Sequence, residues 1–132
     1  MTQIPNNYNL EERTAKFGEA IIQFCKLIPE NSITRPLINQ LIRSGTSIGA
    51  NYMEANGGSS PRDFKNKIFI CKKESQETKH WLRMMVQCDG VNKEISRTLW
   101  KEAQELTLIF QSIINSMNKK GKNISYCKLN EK

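Results

Sequence analysis

The chain has 132 residues and a mass of 15.2 kDa, with 38% hydrophobic and 25% charged residues, which suits one globular domain and excludes global disorder. Four prolines and seven glycines are too few for a loop-rich all-β fold, no apolar run approaches the ~20 residues of a membrane span, and the opening MTQIPNNYNLEER lacks the apolar core of a signal peptide. Twenty basic against 13 acidic residues leave a net charge of +7 and a pI of about 9.4, so a soluble, cytoplasmic protein with a polyanionic partner is expected.

Four helical segments follow one another, at about residues 10–28, 33–56, 61–88 and 92–118. Asn9, with Glu11 and Glu12 behind it, reads as an N-cap and capping box. Leu10, Phe17, Ile21, Phe24 and Ile28 then recur at helical spacing until Pro29 stops the helix. Ser32 or Thr34 opens the second helix, whose apolar face is Leu37, Leu41, Gly45, Ile48, Tyr52 and Ala55. Asn56-Gly57-Gly58-Ser59 breaks it, since glycine takes the left-handed conformation that a helix end favours. Ser60-Pro61-Arg62-Asp63 starts the third: a cap, a proline at N1 and an acid at the positive end of the helix dipole. Its core line is Phe64, Ile68, Cys71, Ser75, Thr78, Leu82 and Met85, a strict alternation of four and three, and Asp89-Gly90 ends it. Asn92 caps the fourth, with Ile95, Leu99, Ala103, Leu106, Phe110, Ile113 and Met117 inward and a stop at Gly121. Short linkers force neighbours antiparallel, and sustained three-four spacing favours shallow crossings. The expected fold is an all-α, antiparallel up-down-up-down four-helix bundle over residues 1–118, followed by a basic, disordered tail at 119–132.

Three helices carry more than one apolar stripe. Ile38, Ile42, Gly49 and Met53 flank the core face of the second; Ile70, Trp81 and Met84 lie off the core of the third; Trp100, Thr107 and Ile114 repeat every seven residues on the fourth. Such stripes mark an interface, so Ile38, Ile42, Met53, Trp81, Met84, Trp100 and Ile114 are candidates for self-association. The alternative is a broad core face on irregularly packed helices. A polar line also flanks the second helix's core, with Arg43, Ser47 and Asn51 one turn apart and Glu54 on the same side. Together with Glu77 it reads as an ion-paired structural network. A catalytic cleft would need a nucleophile–base pair or clustered carboxylates, and the single histidine, His80, lies elsewhere.

Charge is distributed unevenly. Residues 1–60 are neutral, 61–88 carry +4, 89–117 carry −1 and 118–132 carry +4. On the third helix Arg62, Lys65, Phe69, Lys72, Gln76, Lys79 and Arg83 share one side, with Lys73 and His80 at its margin, while Asp63, Glu74 and Glu77 fall on the other. Lys and Arg neutralise phosphates, and an aromatic stacks on an unpaired base. The nucleic-acid-binding candidates are therefore Arg62, Lys65, Phe69, Lys72, Lys73, Lys79 and Arg83; the bland reading is a solvated face. Cys25, Cys71, Cys88 and Cys127 show no CxxC spacing and read as small buried or free thiols, so no metal and no cofactor is expected.

The strings LIRSGTSIGANYMEA, SSPRDF and KKESQETKHWLRMM resemble the four-helix bundle family named for proteins encoded in intervening sequences of bacterial 23S ribosomal RNA genes. The resemblance runs over about residues 10–117 and is strongest from 41 to 85. It covers Arg43, Ser44, Ser47, Ile48, Asn51 and Glu54 in the second helix, and Asp63, Phe64, Glu77, Thr78, Trp81 and Leu82 in the third. It implies an up-down bundle assembling as a ring-like homopentamer, and a relation to the nucleic-acid-binding accessory protein of diversity-generating retroelements. It implies no enzymatic activity. The reading that results is a non-enzymatic oligomeric bundle binding RNA or DNA, with no membrane role; the alternative is a structural or adaptor bundle that binds a protein partner.

Overall fold

The computed structural model describes residues 9–58 and 60–130, with the backbone alone for 121–130. The N-terminal residues up to 8, expected to carry no signal peptide, lie outside the described residues, as do Ser59 of the expected helix break and the last two residues of the tail. Four helices follow in order: α1 (Leu10–Lys26), α2 (Thr34–Asn56), α3 (Pro61–Met85) and α4 (Lys93–Asn130). The fourth passes through Gly121, where a stop was expected; a lone helical glycine costs about 1 kcal/mol against alanine and does not by itself end a helix.

The helix starts divide into two kinds. Ser60 Oγ accepts the Asp63 N–H at 3.0 Å with Pro61 at the first position, and Asn92 Oδ1 accepts the Ile95 N–H at 2.9 Å, both as the sequence indicates. Asn9 makes no side-chain cap bond, so the capping box expected there is absent. At α2 the cap comes from Asn31 instead of Ser32 or Thr34. Its Oδ1 accepts the N–H groups of Ile33 and Thr34, each at 2.9 Å, while Thr34 Oγ1 donates to the Pro29 carbonyl at 2.7 Å. Gly57 at the α2 C-cap has φ −88°, an ordinary right-handed value, so the left-handed ending expected of that break is not used.

Side-chain pairs between neighbouring helices run in opposite sequence directions, which makes the bundle antiparallel, up-down-up-down. A Cβ on Gly45 would meet Ile21 at 2.9 Å and one on Gly49 would meet the Thr14 backbone at 3.3 Å, so α1 and α2 cross at near-backbone contact. Between α2 and α3, Ser44 meets Thr78, Ile48 meets Cys71 and Glu54 meets Lys67. Between α3 and α4, Ser96 Oγ donates to the Leu82 carbonyl, and Lys79 reaches Gln104. At one end of the bundle the two loops touch: Gly90 has φ +81° and lies so close to Pro29 that a Cβ there would sit 2.8 Å from its ring. The contact between α1 and α4 is the slightest of the four.

The buried faces follow the sequence stripes on α1, α2 and α3. On α4 the buried line is Ser96, Leu99, Ala103, Leu106, Phe110 and Ile114, with Ile95 and Ile113 half-buried at its edge. Ile114 is 1% exposed, so its assignment to an oligomer interface is corrected: it belongs to the bundle's own core. Thr107, from the same supposed outer stripe, is buried and donates to the Ala103 carbonyl at 2.8 Å. Ile113 and Ile114 are equally apolar and only 100° apart on the helix, so composition cannot set the phase.

Candidate nucleic-acid interface

α3 sorts its side chains into three sectors. One holds the core line; a second faces α2 and carries acids; the third turns toward α4 and carries bases. In the acidic sector Arg43 of α2 donates from Nη1 to Glu74 at 3.0 Å and from Nη2 to Glu77 at 3.2 Å, while its Nε donates to Gln40 at 3.0 Å. Glu74 is 7% exposed. Burial first, then hydrogen bonding and repulsion from Glu77, push its carboxyl above the ordinary range. Glu77 moves the other way, held below the ordinary range by a hydrogen bond from Glu74 and by Arg43. Of the two carboxyls bridged by this guanidinium, Glu74 is therefore the later to lose its proton as pH rises.

This network contains Arg43 and Glu77 as expected, but not the other three residues assigned to it. Glu54 is exposed, its side chain at 56%, and accepts from Lys67 Nζ at 2.8 Å, remote from Arg43. Ser47 Oγ donates to the Arg43 carbonyl and Asn51 Nδ2 to the Ser47 carbonyl at 2.8 Å, so both serve their own helix. The residue that sequence reading missed is Glu74. Its wheel position lies beside the core, and a signal was available: it precedes Glu77 by three residues, so one arginine can reach both. Deeper in, Thr78 Oγ1 contacts Ser44 Oγ at 2.9 Å and donates to the Glu74 carbonyl, and Ser75 Oγ donates to the Cys71 carbonyl at 2.8 Å. Hydroxyls thus occupy core positions without orphaned polar atoms. The thiols of Cys71 and Cys25 are pushed up by burial, to about 12 and about 11, which leaves them protonated. Among the described residues no three His, Cys, Asp or Glu side chains gather as a metal site requires.

The basic sector keeps its charge. Arg62, Lys65, Lys72, Lys73 and Arg83 form no ion pair among the described residues: Glu74 and Glu77 are paired with Arg43, Glu54 with Lys67 and Glu102 with Arg13, while Asp63 in the first turn of α3 pairs with none of them. Arg62 and Arg83 are about 32 Å apart along the helix at 1.5 Å per residue. Phe69 is 44% exposed and shares a shallow surface depression with Ile70, Lys72, Lys73 and Gln76. Lys79 is the exception: it hydrogen-bonds Gln104 and lies 5.2 Å from the centroid of the Trp100 ring, so its ammonium is engaged with α4.

The apolar candidates separate as well. Ile38, Ile42 and Trp81 are half-buried against the bundle's own core, so most of the second stripe of α2 is the broad face on which α1 lies. Met53 is exposed and Met84 half-buried, and Trp100 is 39% exposed.

A basic four-helix bundle with a helix flank of unpaired cations is the class that these features define. The chain belongs to the 23S rRNA-intervening sequence protein family, whose model matches residues 6–112. Among solved structures it is similar to a protein of unknown function from the S23 ribosomal protein family of Bacteroides thetaiotaomicron VPI-5482. That similarity has a TM-score of 0.73 and 30% identity, and covers 80% of this chain and 97% of the other. No curated protein matches the chain. No described helix is long and apolar enough to cross a membrane.

Proposed function

We propose that this chain is a non-enzymatic, self-associating, cytoplasmic bundle that binds RNA or DNA along the α4-facing flank of α3. The observation that supports the reading is the row of cations without carboxylate partners, Arg62, Lys65, Lys72, Lys73 and Arg83, on a helix two of whose three acids, Glu74 and Glu77, are held by Arg43. Structural ion pairing would neutralise such a row; binding to phosphates requires it free. A rigid helix presents the charges at fixed spacing, so they act on a backbone without an ordering cost for the chain that carries them. Self-association, through Ile70 and Met84 on the outer side of α3 with Met53 of α2, repeats the flank. A ring of five, as in the family resemblance, then binds by avidity even if each contact is weak.

Fluorescence anisotropy with labelled RNA and DNA at two salt concentrations tests the reading. Binding should weaken with salt by roughly 0.7 to 0.9 in log affinity per log salt for each phosphate contact. The triple change Lys65→Glu, Lys72→Glu, Arg83→Glu should abolish binding with helix content and oligomeric state intact. If the unmutated protein binds no nucleic acid at ~50 mM salt, the flank is a solvated surface and the protein-adaptor reading replaces this one.

A further inference from the structure

Beside the basic flank, where α3 ends and α4 begins, the two helices leave a groove of about 390 Å³. Its apolar wall is Leu82, Val86 and Trp100, and its cations are Arg83 from α3 and Lys93, Arg97 and Lys101 from α4. No carboxylate lines it, and none of the four cations is ion-paired among the described residues. Lys93, Arg97 and Lys101 step four residues at a time along one side of α4, about 6 Å per step. The volume falls within the roughly 300–1,000 Å³ range of small-molecule sites. A concavity at the α2–α3 turn offers a contrast: Glu54 and Asp63 line it with Lys67, so it has no excess of positive charge.

We infer that this groove seats one unpaired nucleotide of a bound strand, its base against Trp100 and its flanking phosphates on Arg97, Lys101 and Arg83. The inference rests on the nucleic-acid reading and deepens it, since it names single strands as the substrate class. Charge complementarity selects the occupant. Four cations around an apolar slot repel a basic or neutral apolar partner, and a purely inorganic anion has no use for the wall of Leu82, Val86 and Trp100. An unstacked nucleotide uses both. The indole is already held in place by Lys79 on one side, so stacking costs little side-chain entropy, and that cation strengthens the ring's hold on its position. A base inside a duplex is paired and stacked on both faces and cannot enter.

The chain has two tryptophans, Trp81 and Trp100, and only Trp100 lines the groove, so the emission lost in Trp100→Leu isolates the groove's signal. Titration with a ten-residue oligothymidylate should quench the emission in step with anisotropy, and a duplex of equal length should not. Trp100→Leu should remove the quench and weaken single-strand binding about tenfold or more, with duplex binding changed less than twofold. Trp100→Phe, which restores an aromatic face, should recover most of the loss; it also guards against a leucine variant that misfolds, which circular dichroism would reveal. Salt-sensitive binding of strands without a quench, or an unchanged affinity in Trp100→Leu, overturns the groove and leaves the α3 flank standing. No binding of any strand overturns both. In a Trp81→Phe background, where only Trp100 emits, a quench that follows protein concentration with no strand present overturns it too, because a second copy then fills the groove. Saturation by inorganic phosphate alone, with the same quench, reduces the site to a simple anion site and also overturns it.

Discussion

Arg43 holds two carboxylates, one of them buried, whereas Glu54 holds one exposed lysine, and stability should register the difference. Arg43→Ala leaves Glu74 and Glu77 facing each other without a cation and should cost about 1–3 kcal/mol in urea denaturation. Glu54→Ala removes only an exposed pair with Lys67 and should cost less than about 1 kcal/mol. The order in which Glu74 and Glu77 ionise makes a second prediction, about pH. Because Glu74 titrates above its ordinary 4.5 when folded, the native state holds more protons than the unfolded chain just above that pH. Its contribution is therefore fully present below 4.5 and is lost as pH rises through the folded value. Glu77, held low, does the opposite, contributing above 4.5 and losing that contribution as pH falls through its folded value. Glu74→Gln keeps the hydrogen bonds and removes the first effect. Relative to the parent, this variant should gain stability as pH rises above 4.5 and through the folded value of Glu74, as denaturation midpoints would show; a falling difference would contradict the order in which the two carboxyls ionise.

At the level of the helix, the α1–α2 crossing sets a test of packing against propensity. Alanine in place of a mid-helix glycine gains about 1 kcal/mol from propensity alone. At Gly45 the new methyl would meet Ile21, locked in the core, at 2.9 to 3.2 Å, and overpacking of about 1–3 kcal/mol should win. Gly45→Ala should therefore lower the thermal midpoint, while Gly57→Ala, exposed and with nothing nearer than 3.8 Å, should leave it unchanged or raise it. Glycines 45 and 49 also illustrate what could be read before any coordinates existed. Small residues let a helix come close without saying which one, and Gly49 was grouped with a second stripe that α1 in fact covers. Helix existence and the phase of α1, α2 and α3 were legible, since each has one dominant apolar line broken by proline, glycine or a capping residue. On α4 the central line of Leu99, Ala103, Leu106 and Phe110 was legible too, but its ends were not, because at Ile113 and Ile114 apolar residues occupy adjacent positions. Of the site, the sorting of charge on α3 was readable from the wheel. The pairing of Arg43 with Glu74, and of Lys79 with Trp100, depends on where neighbouring helices lie across the bundle, and no local periodicity encodes that.

For the molecule as a whole, assembly is the next measurement. If the outer side of α3 joins copies, light scattering in moderate salt should report a multiple of 15.2 kDa, and Met84→Glu should return it toward the single-chain mass without loss of helix. A monomer at micromolar concentration for the parent would remove self-association. Independent of that outcome, the division of α3 into an acidic side spent on Arg43 and a basic side facing α4 has a consequence for time rather than for equilibrium. A body whose unbalanced charge lies on one flank turns in the field of a polyanion before it touches it, within a distance set by a screening length of about 10 Å at 0.1 M salt. Collisions are then productive in more orientations than chance allows, and encounter rates rise by roughly 10- to 1,000-fold. If a polyanion is bound, Arg43 acts on that rate from outside the flank: its guanidinium, paired with Glu74 and Glu77, offsets the negative charge of that pair and keeps it from blunting the pull.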